Sequence, residues 1–274
     1  MRRYEKEQRS SLLQRETELE GSLSPFRVGS VPYLNAVPLT RGIEGQVTFA
    51  TPAKLAEMLR AKELDAALVS ITEVLFHDSY DILEGIAVAS LGEVKSVLLA
   101  HKQPLEQIKE VFCDTASLTS VNLLKVLLAE QGISARFAPL SSYDAAASLE
   151  AVLLIGDPAL DFVRGSPPHD IYDLGTAWFD LTRLPFVYAV WALRREVDHR
   201  ALRAHLRDAK DFGLDTLDHI ISSRTEYDQQ FRKDYLGWHI HYHLGSEEKR
   251  GIARFMELLR KHDLGAVYEP HYVF

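Results

Sequence analysis

The sequence predicts an α/β protein with substantially parallel sheets, and three observations carry that expectation. From Phe26 onward, short β-prone apolar runs alternate with runs of helical periodicity. Cap and proline signals stand where a crossover helix has to begin. After Glu196 the strand-like runs give way to helical ones.

Strands are expected at Phe26 to Val31, Val47 to Ala50 and Asp65 to Val69. Between the second and third, Thr51-Pro52 offers an N-cap followed by proline at the first helical position. Leu55, Met58 and Leu59 then recur at helical spacing, which makes this a crossover helix. Further strands are expected at Val97 to Ala100, Val111 to Cys113, Arg136 to Ala138, Val152 to Ile155 and Phe186 to Leu193. Val121, Leu124, Leu127 and Leu128 mark the inner face of a helix that Gly132 ends, and Ile252, Phe255, Met256 and Leu259 form the apolar stripe of a late one.

No repeat, low-complexity tract or Gly/Ser-rich linker divides the chain into consecutive domains. The expected organisation is two lobes with crossings near residues 100 and 190: 26–100 with 190–274 as lobe I, and 101–189 as lobe II. Residues 1–25 stand apart as an N-terminal extension. They mix both charge signs with Ser and Gln and show little periodicity, as a surface helix, a disordered tail or a misassigned start would.

A chain of 274 residues that is 46% hydrophobic can bury a sizeable core. Its 31 basic and 39 acidic residues leave a formal charge of -8, which works against non-specific binding to nucleic acid or an anionic membrane. Cys113 is the sole cysteine, so an intrachain disulfide and a Cys-rich metal site are excluded. No apolar run approaches the ~20 residues of a membrane span, and none resembling a signal peptide follows Arg2-Arg3. A cytoplasmic protein with no nucleic-acid or membrane partner is expected.

Three strand-to-helix junctions carry the candidate chemistry. The first is Val31-Pro32-Tyr33-Leu34-Asn35-Ala36-Val37-Pro38-Leu39. Ligands of open α/β sheets bind beyond the carboxyl ends of strands, so Asn35 can reach a bound molecule there. A turn or short-helix cap accounts for the same residue equally well. The second is Asp114-Thr115-Ala116-Ser117-Leu118-Thr119-Ser120, ahead of the helix that begins near Val121. A helix N-terminus carries roughly half a positive charge, so its N–H groups with the hydroxyls of Thr119 and Ser120 can hold an anion without Arg or Lys. Plain capping by Ser117 or Thr119 explains one such residue more readily than four. In the third, Leu154-Ile155-Gly156-Asp157-Pro158-Ala159-Leu160, Asp157 reads first as an N-cap before Pro158, while Gly156 lets a ligand approach the backbone. Ser70, ending the third strand, and Ser96, leading into the strand at Val97, complete a ring of short polar groups.

His239-Ile240-His241-Tyr242-His243 has spacings that suit zinc on a strand face or a helix. The run lacks the acidic partner of an H-E-x-x-H site, so it reads as a half-exposed segment near a helix end and no metal is expected. G-x-S-x-G, G-x-x-x-x-G-K-S/T and a G-x-G-x-x-G after the first strand are all missing, and no cofactor is expected.

Tyr33-Leu34-Asn35-Ala36-Val37-Pro38-Leu39, Thr119-Ser120-Val121 and Ile155-Gly156-Asp157-Pro158-Ala159-Leu160 together carry a family likeness. So do Tyr172-Asp173-Leu174-Gly175, Trp178 and Leu184-Pro185-Phe186-Val187-Tyr188-Ala189-Val190-Trp191. From about Phe26 to its end the chain resembles the menaquinone-biosynthesis family that contains chorismate dehydratase and 1,4-dihydroxy-6-naphthoate synthase. The Y-L-N-x-x-P-L signature is similar to the dehydratase branch; the Ser-Pro-Cys-Pro-Asn-Asp type of opening of the other branch is absent. Leu118 stands where Arg is frequent, Thr176-Ala177 where an acidic residue is common, and Arg183 where Gly is common.

The resemblance implies a periplasmic-binding-protein-like (type II) fold, two α/β lobes with the ligand cleft between them and closure by a hinge. It also implies chorismate as substrate and loss of water to give 3-(1-carboxyvinyloxy)benzoate in the futalosine route to menaquinone. Donors near Asn35 and Thr119 would then meet the two substrate carboxylates. With no His–carboxylate pair in evidence as a base, the enolpyruvyl carboxylate of the substrate is left to take the proton. Two other classes share the fold. A non-catalytic binding protein ordinarily carries an export signal or lipid anchor, and a ligand-sensing regulator carries a helix-turn-helix segment.

Overall fold

The computed structural model describes residues 2–274, with side chains from residue 11 onward. After helix α1 (Arg2–Leu19) the chain forms β1 (Val28–Ser30), β2 (Val47–Phe49), α2 (Pro52–Arg60), β3 (Ala66–Ser70), α3 (Ile71–Phe76) and β4 (Tyr80–Ser90). Thr51 caps α2 by accepting from Lys54 N at 3.4 Å, with Pro52 in the first turn. The crossover helix sets β1 parallel to both β2 and β3.

The next block is β5 (Val97–His101), β6 (Glu110–Cys113), α4 (Leu118–Glu130), β7 (Arg136–Pro139), β8 (Ala151–Ile155), α5 (Gly156–Arg164), β9 (Asp170–Asp173) and α6 (Leu174–Thr182). Its five strands form a sheet of their own, in the order β7-β6-β8-β5-β9. Then β10 (Phe186–Arg194), α7 (Arg200–Asp215), α8 (Leu217–Ser223), α9 (Gln229–Asp234), α10 (Ser246–Lys261) and β11 (His271–Val273) return to the first sheet, whose order is β11-β4-β10-β3-β1-β2.

Each sheet is the floor of one lobe. The chain changes sheets between Ser90 and Val97 and again between Asp173 and Phe186, ahead of the expected crossings near residues 100 and 190. The apolar runs Val97–His101 and Phe186–Arg194 are complete members of one sheet each, and hydrophobicity along a strand does not say which sheet will claim it. The sheets are also mixed, because β10 runs antiparallel to β3 and β4 and β5 runs antiparallel to β8 and β9. Strands β4, β9 and β11 carry no clear sequence signal. β4 is interrupted by Asp81, Glu84 and Gly85, β9 begins and ends on Asp, and β11 has three residues.

One buried apolar cluster runs through both lobes, with a smaller one on the other face of the second sheet. At the second crossing Trp178 of α6 packs edge-on against Phe186 of β10 (5.1 Å between centroids) and Phe255 of α10 (5.9 Å), and its Nε1 donates to Pro185 O. Just before, Arg183 caps α6 in the left-handed region at φ 59°, where glycine sits without strain.

Residues 2–19 form a helix, and Leu19 and Leu23 at and beyond its end are buried; residue 1 lies outside the described residues. Arg15 pairs with Asp215 at 2.7 Å and lies over the Phe212 ring, so the start of the chain is pinned to α7. Helix α7 in turn backs the 3-10 turn Leu34–Leu39 that presents Asn35. Gly213 lies so close to Pro38 that a Cβ there would fall 1.8 Å from the Pro38 carbonyl oxygen. Gly213→Ala is therefore expected to lower unfolding free energy by about 1–3 kcal/mol, the usual cost of overpacking. Denaturant titration checks this, and an unshifted midpoint would refute the packing account.

Candidate functional site

A small cavity of about 60 Å³ opens between the lobes. Lobe I contributes Tyr33, Asn35 and Ser70 with β10 residue Tyr188; lobe II contributes Ser117, Ser120 and the Gly156 backbone. Val31, Leu68, Val69, Val97 and Ile155 supply the apolar wall, and no charged side chain lines it. Volume for roughly two waters means that the lobes must part to admit a metabolite.

The lobe II side rests on two helix starts. Ser117 is the N-cap of α4, its Oγ accepting from Ser120 N (3.3 Å) and Ser120 Oγ (3.2 Å). With both lone pairs taken, the Ser117 proton goes to Ser70 Oγ, 3.2 Å away across the cleft. The Ser70 proton is then left for a ligand. A relay of neutral hydroxyls thus ends on a donor facing the cavity, backed by the positive end of a thirteen-residue helix.

Thr119 has another occupation. Its Oγ1 accepts from Thr72 N (3.0 Å) and donates to Thr72 Oγ1 (2.9 Å), so its proton is spent joining α4 to α3, and it does not line the cavity. Asp157 also departs from the expected role. Helix α5 starts at Gly156 with Ile155 as the flanking residue, and Asp157 Oδ1 accepts from Leu34 N at 3.2 Å, tying the start of α5 to the Asn35 turn. Burial raises its pKa above the ordinary carboxylate value, and the Leu34 bond opposes that rise only in part. Ser96 is fully buried behind the cavity, where its carbonyl accepts from Gly156 N at 2.7 Å. The sequence-derived set therefore divides: Asn35, Ser70, Ser120 and Gly156 line the cleft, while Ser96, Thr119 and Asp157 hold the liners in place.

Sequence reasoning passed over Tyr33 and Tyr188. Tyr33 lies two residues from Asn35, and its ring fills the space that a Gly156 side chain would need. Burial first, then Asp114 and Asp157, push its pKa up to about 12, so it is a protonated donor at neutral pH. Tyr188 lines the cavity and exchanges a 3.0 Å hydrogen bond with Ser90.

The histidine run does not converge. His239 Nδ1 lies 2.9 Å from the Glu93 carbonyl, His241 forms a bridge with Ala89, and His243 is exposed. Among the described residues no group of three or more His, Cys, Asp or Glu is gathered to hold a metal. Nor is any described helix long and apolar enough to cross a membrane. A roomier cavity of about 740 Å³ lies between β5, α5, β9 and the loop before α9. Its cations Lys95 and Arg164 are already paired, with Glu93 (3.0 Å) and Asp161 (3.2 Å), and it includes none of the hydroxyl relay, so the interlobe cleft is the better site.

Two mixed sheets facing each other across a cleft define a periplasmic-binding-protein-like α/β protein. Solved structures share that fold: protein AF1704 from Archaeoglobus fulgidus (TM-score 0.70, 17% identity, covering 87% of this chain and 98% of that one) is one. The alkanesulfonate-binding protein SsuA from Xanthomonas axonopodis pv. citri is another (TM-score 0.64, 15% identity, 87% and 93%). The chain belongs to the menaquinone biosynthesis family, whose profile matches residues 26–261. It is 36% identical to the chorismate dehydratase of Thermus thermophilus, an alignment covering 86% of this chain and 96% of that relative.

Gly156 has φ +60°, and a Cβ there would meet the Tyr33 ring at 3.1 Å. Gly156→Ala is expected to cost about 1–2 kcal/mol from the left-handed backbone alone and to dislodge Tyr33. Thermal or denaturant unfolding measures the first effect, and a variant as stable as the parent would refute the assigned conformation.

Proposed function

We propose that this protein is a chorismate dehydratase, a carbon–oxygen lyase that removes water from chorismate to give 3-(1-carboxyvinyloxy)benzoate. The observation that carries the reading is its 36% identity to the Thermus enzyme over nearly the whole of that relative. A cleft ringed by neutral donors suits the substrate. Chorismate is a dianion, and oriented hydroxyls and helix N-termini hold carboxylates without the counter-charge that this acidic chain does not place there.

The reaction breaks the ring C3–H and C4–O bonds. The C3 proton is acidified by conjugation through the diene to the ring carboxylate, so negative charge grows on that carboxylate as the proton leaves. Loss of hydroxide from C4 then makes the ring aromatic. Donors whose bonds strengthen with that charge lower the barrier. In this reading Asn35 and Ser70 supply them on one wall and the start of α4 on the other, while Ser120, its proton spent on Ser117, lines that wall and holds the relay in place. No paired His and carboxylate faces the cavity, and the enolpyruvyl carboxylate of the substrate serves as the base. The protein then contributes positioning and electrostatic stabilisation, effects that together lower a barrier by ~10 kcal/mol. The product leaves when the lobes reopen.

Purified protein mixed with chorismate and followed by proton NMR should give the enolpyruvyl benzoate without added metal, nucleotide or flavin. Binding without turnover would turn the reading toward a non-catalytic carboxylate-binding protein, and activity lost on chelation and restored by zinc would revive the histidine run.

Asn35 offers a sharper test. Its amide donates to a substrate oxygen, whereas Asp of nearly the same shape presents only acceptors and a negative charge at neutral pH. Asn35→Ala should lower kcat/KM roughly ten- to a hundredfold, the value of a hydrogen bond to a charged group, and Asn35→Asp at least as much. Folded variants with parental kinetics would return Asn35 to the role of a turn residue.

A further inference from the structure

Hydroxide is a poor leaving group. Its conjugate acid, water, has a pKa of about 15.7, so the C4–O bond breaks readily only when a proton meets the departing oxygen. With the cleft closed on a ligand, its lining is the nearest source of that proton. Six residues of the lining carry a polar hydrogen: Tyr33, Asn35, Ser70, Ser117, Ser120 and Tyr188.

Hydrogen bonding and acidity remove most of them. Ser120 gives its proton to Ser117, and Ser117 gives its own to Ser70, each across 3.2 Å. The free proton of Ser70 belongs to an alcohol, an acid no stronger than the water to be formed, and the Asn35 amide is no better. Tyr188 is committed: Ser90 Oγ spends its proton on Gly92 O at 3.0 Å, so the 3.0 Å bond between Ser90 and Tyr188 takes the proton of the tyrosine. Tyr33 is left with an uncommitted phenol. The two carboxylates nearest it are engaged, Asp114 by Tyr143 Oη (2.7 Å) and Asp157 by Leu34 N (3.2 Å), and no described group accepts from its hydroxyl. Its pKa, pushed up to about 12 chiefly by burial, keeps it protonated at neutral pH and still leaves it a stronger acid than water.

Tyr33 is also held in place. It flanks the 3-10 turn Leu34–Leu39 that presents Asn35, and the base of its ring lies 3.1–3.2 Å from where a Gly156 Cβ would stand, so the ring bridges a lobe I turn and a lobe II helix start. We propose that Tyr33 is the general acid of the dehydration, giving its Oη proton to the oxygen that leaves C4. This inference rests on the reading of the reaction as loss of water from chorismate. The enolpyruvyl carboxylate takes the C3 proton, and the C3–H electron pair enters the ring. The C4–O pair departs with the oxygen, which becomes water as the Tyr33 Oη–H bond breaks. The tyrosinate left behind takes the former C3 proton from the enolpyruvyl carboxyl. The products are the enolpyruvyl benzoate and water, and Tyr33 is restored.

Tyr33→Phe removes the acid and keeps the ring against Gly156. With chorismate, kcat should fall about a hundredfold or more, within the range of a positioned general acid, while KM stays within about threefold. Chorismate carrying fluorine in place of the C4 hydroxyl separates acid catalysis from positioning, because fluoride is a far weaker base than hydroxide and leaves unprotonated. On that analogue Tyr33→Phe should keep kcat within about threefold of the parent. Parental turnover of chorismate by the variant, a loss confined to KM, or an equal loss on both substrates would each overturn the role of Tyr33 and leave the dehydratase reading standing. A parent inert toward chorismate overturns that reading and the acid with it.

Discussion

The hydroxyl seam between the lobes is the constraint to which the rest of the site answers. Ser70, Ser117 and Ser120 on one line and Thr72 with Thr119 on another are all buried, and each finds its partner in another member of the seam. A bond of this kind contributes about 0.5–1.5 kcal/mol net, but a partner buried without one costs about 1–3 kcal/mol. The closed arrangement therefore tolerates little misalignment of α4 against β3 and α3. When the lobes part, water can satisfy the same groups, so opening costs little. Neutral hydroxyls suit a cleft that must open and close, whereas an interlobe ion pair would charge a desolvation penalty at each closure.

The same economy governs the electrostatics. The two carboxylates nearest Tyr33 are occupied: Asp114 accepts from Tyr143 Oη (2.7 Å) and Ala116 N (2.9 Å), and Asp157 accepts from Leu34 N. Neither carboxylate lines the cavity, which leaves hydroxyls and helix starts to set the potential inside it. In a small space walled by Val31, Leu68, Val97 and Ile155, oriented dipoles act at low dielectric and are stronger than in water. An acidic protein can thus present a locally favourable surface to an anion.

The second crossing is stiffened where Trp178, Phe186 and Phe255 meet edge to face, joining α6 of one lobe to β10 and α10 of the other. Aromatic pairs of this geometry add ~0.5–1.5 kcal/mol beyond their buried area. The crossing also orders the cleft, because Phe186 starts the strand that carries Tyr188 into the cavity wall.

Much of this was legible along the chain. The Thr51-Pro52 cap, the alternation that gives β1, α2 and β3, the junction residues Asn35, Ser70, Ser120 and Gly156, and the family likeness all depend on neighbours in sequence. Local chemistry determines them: a cap needs its helix within three residues, and a strand needs only its own apolar run. What the sequence left open depends on partners far away in the chain. Whether Val97–His101 belongs to the first sheet or the second is decided by β8 and β9, and whether Thr119 offers its proton to a ligand is decided by Thr72, 47 residues earlier. Asp157 reads as a cap until Leu34 N arrives from 123 residues away.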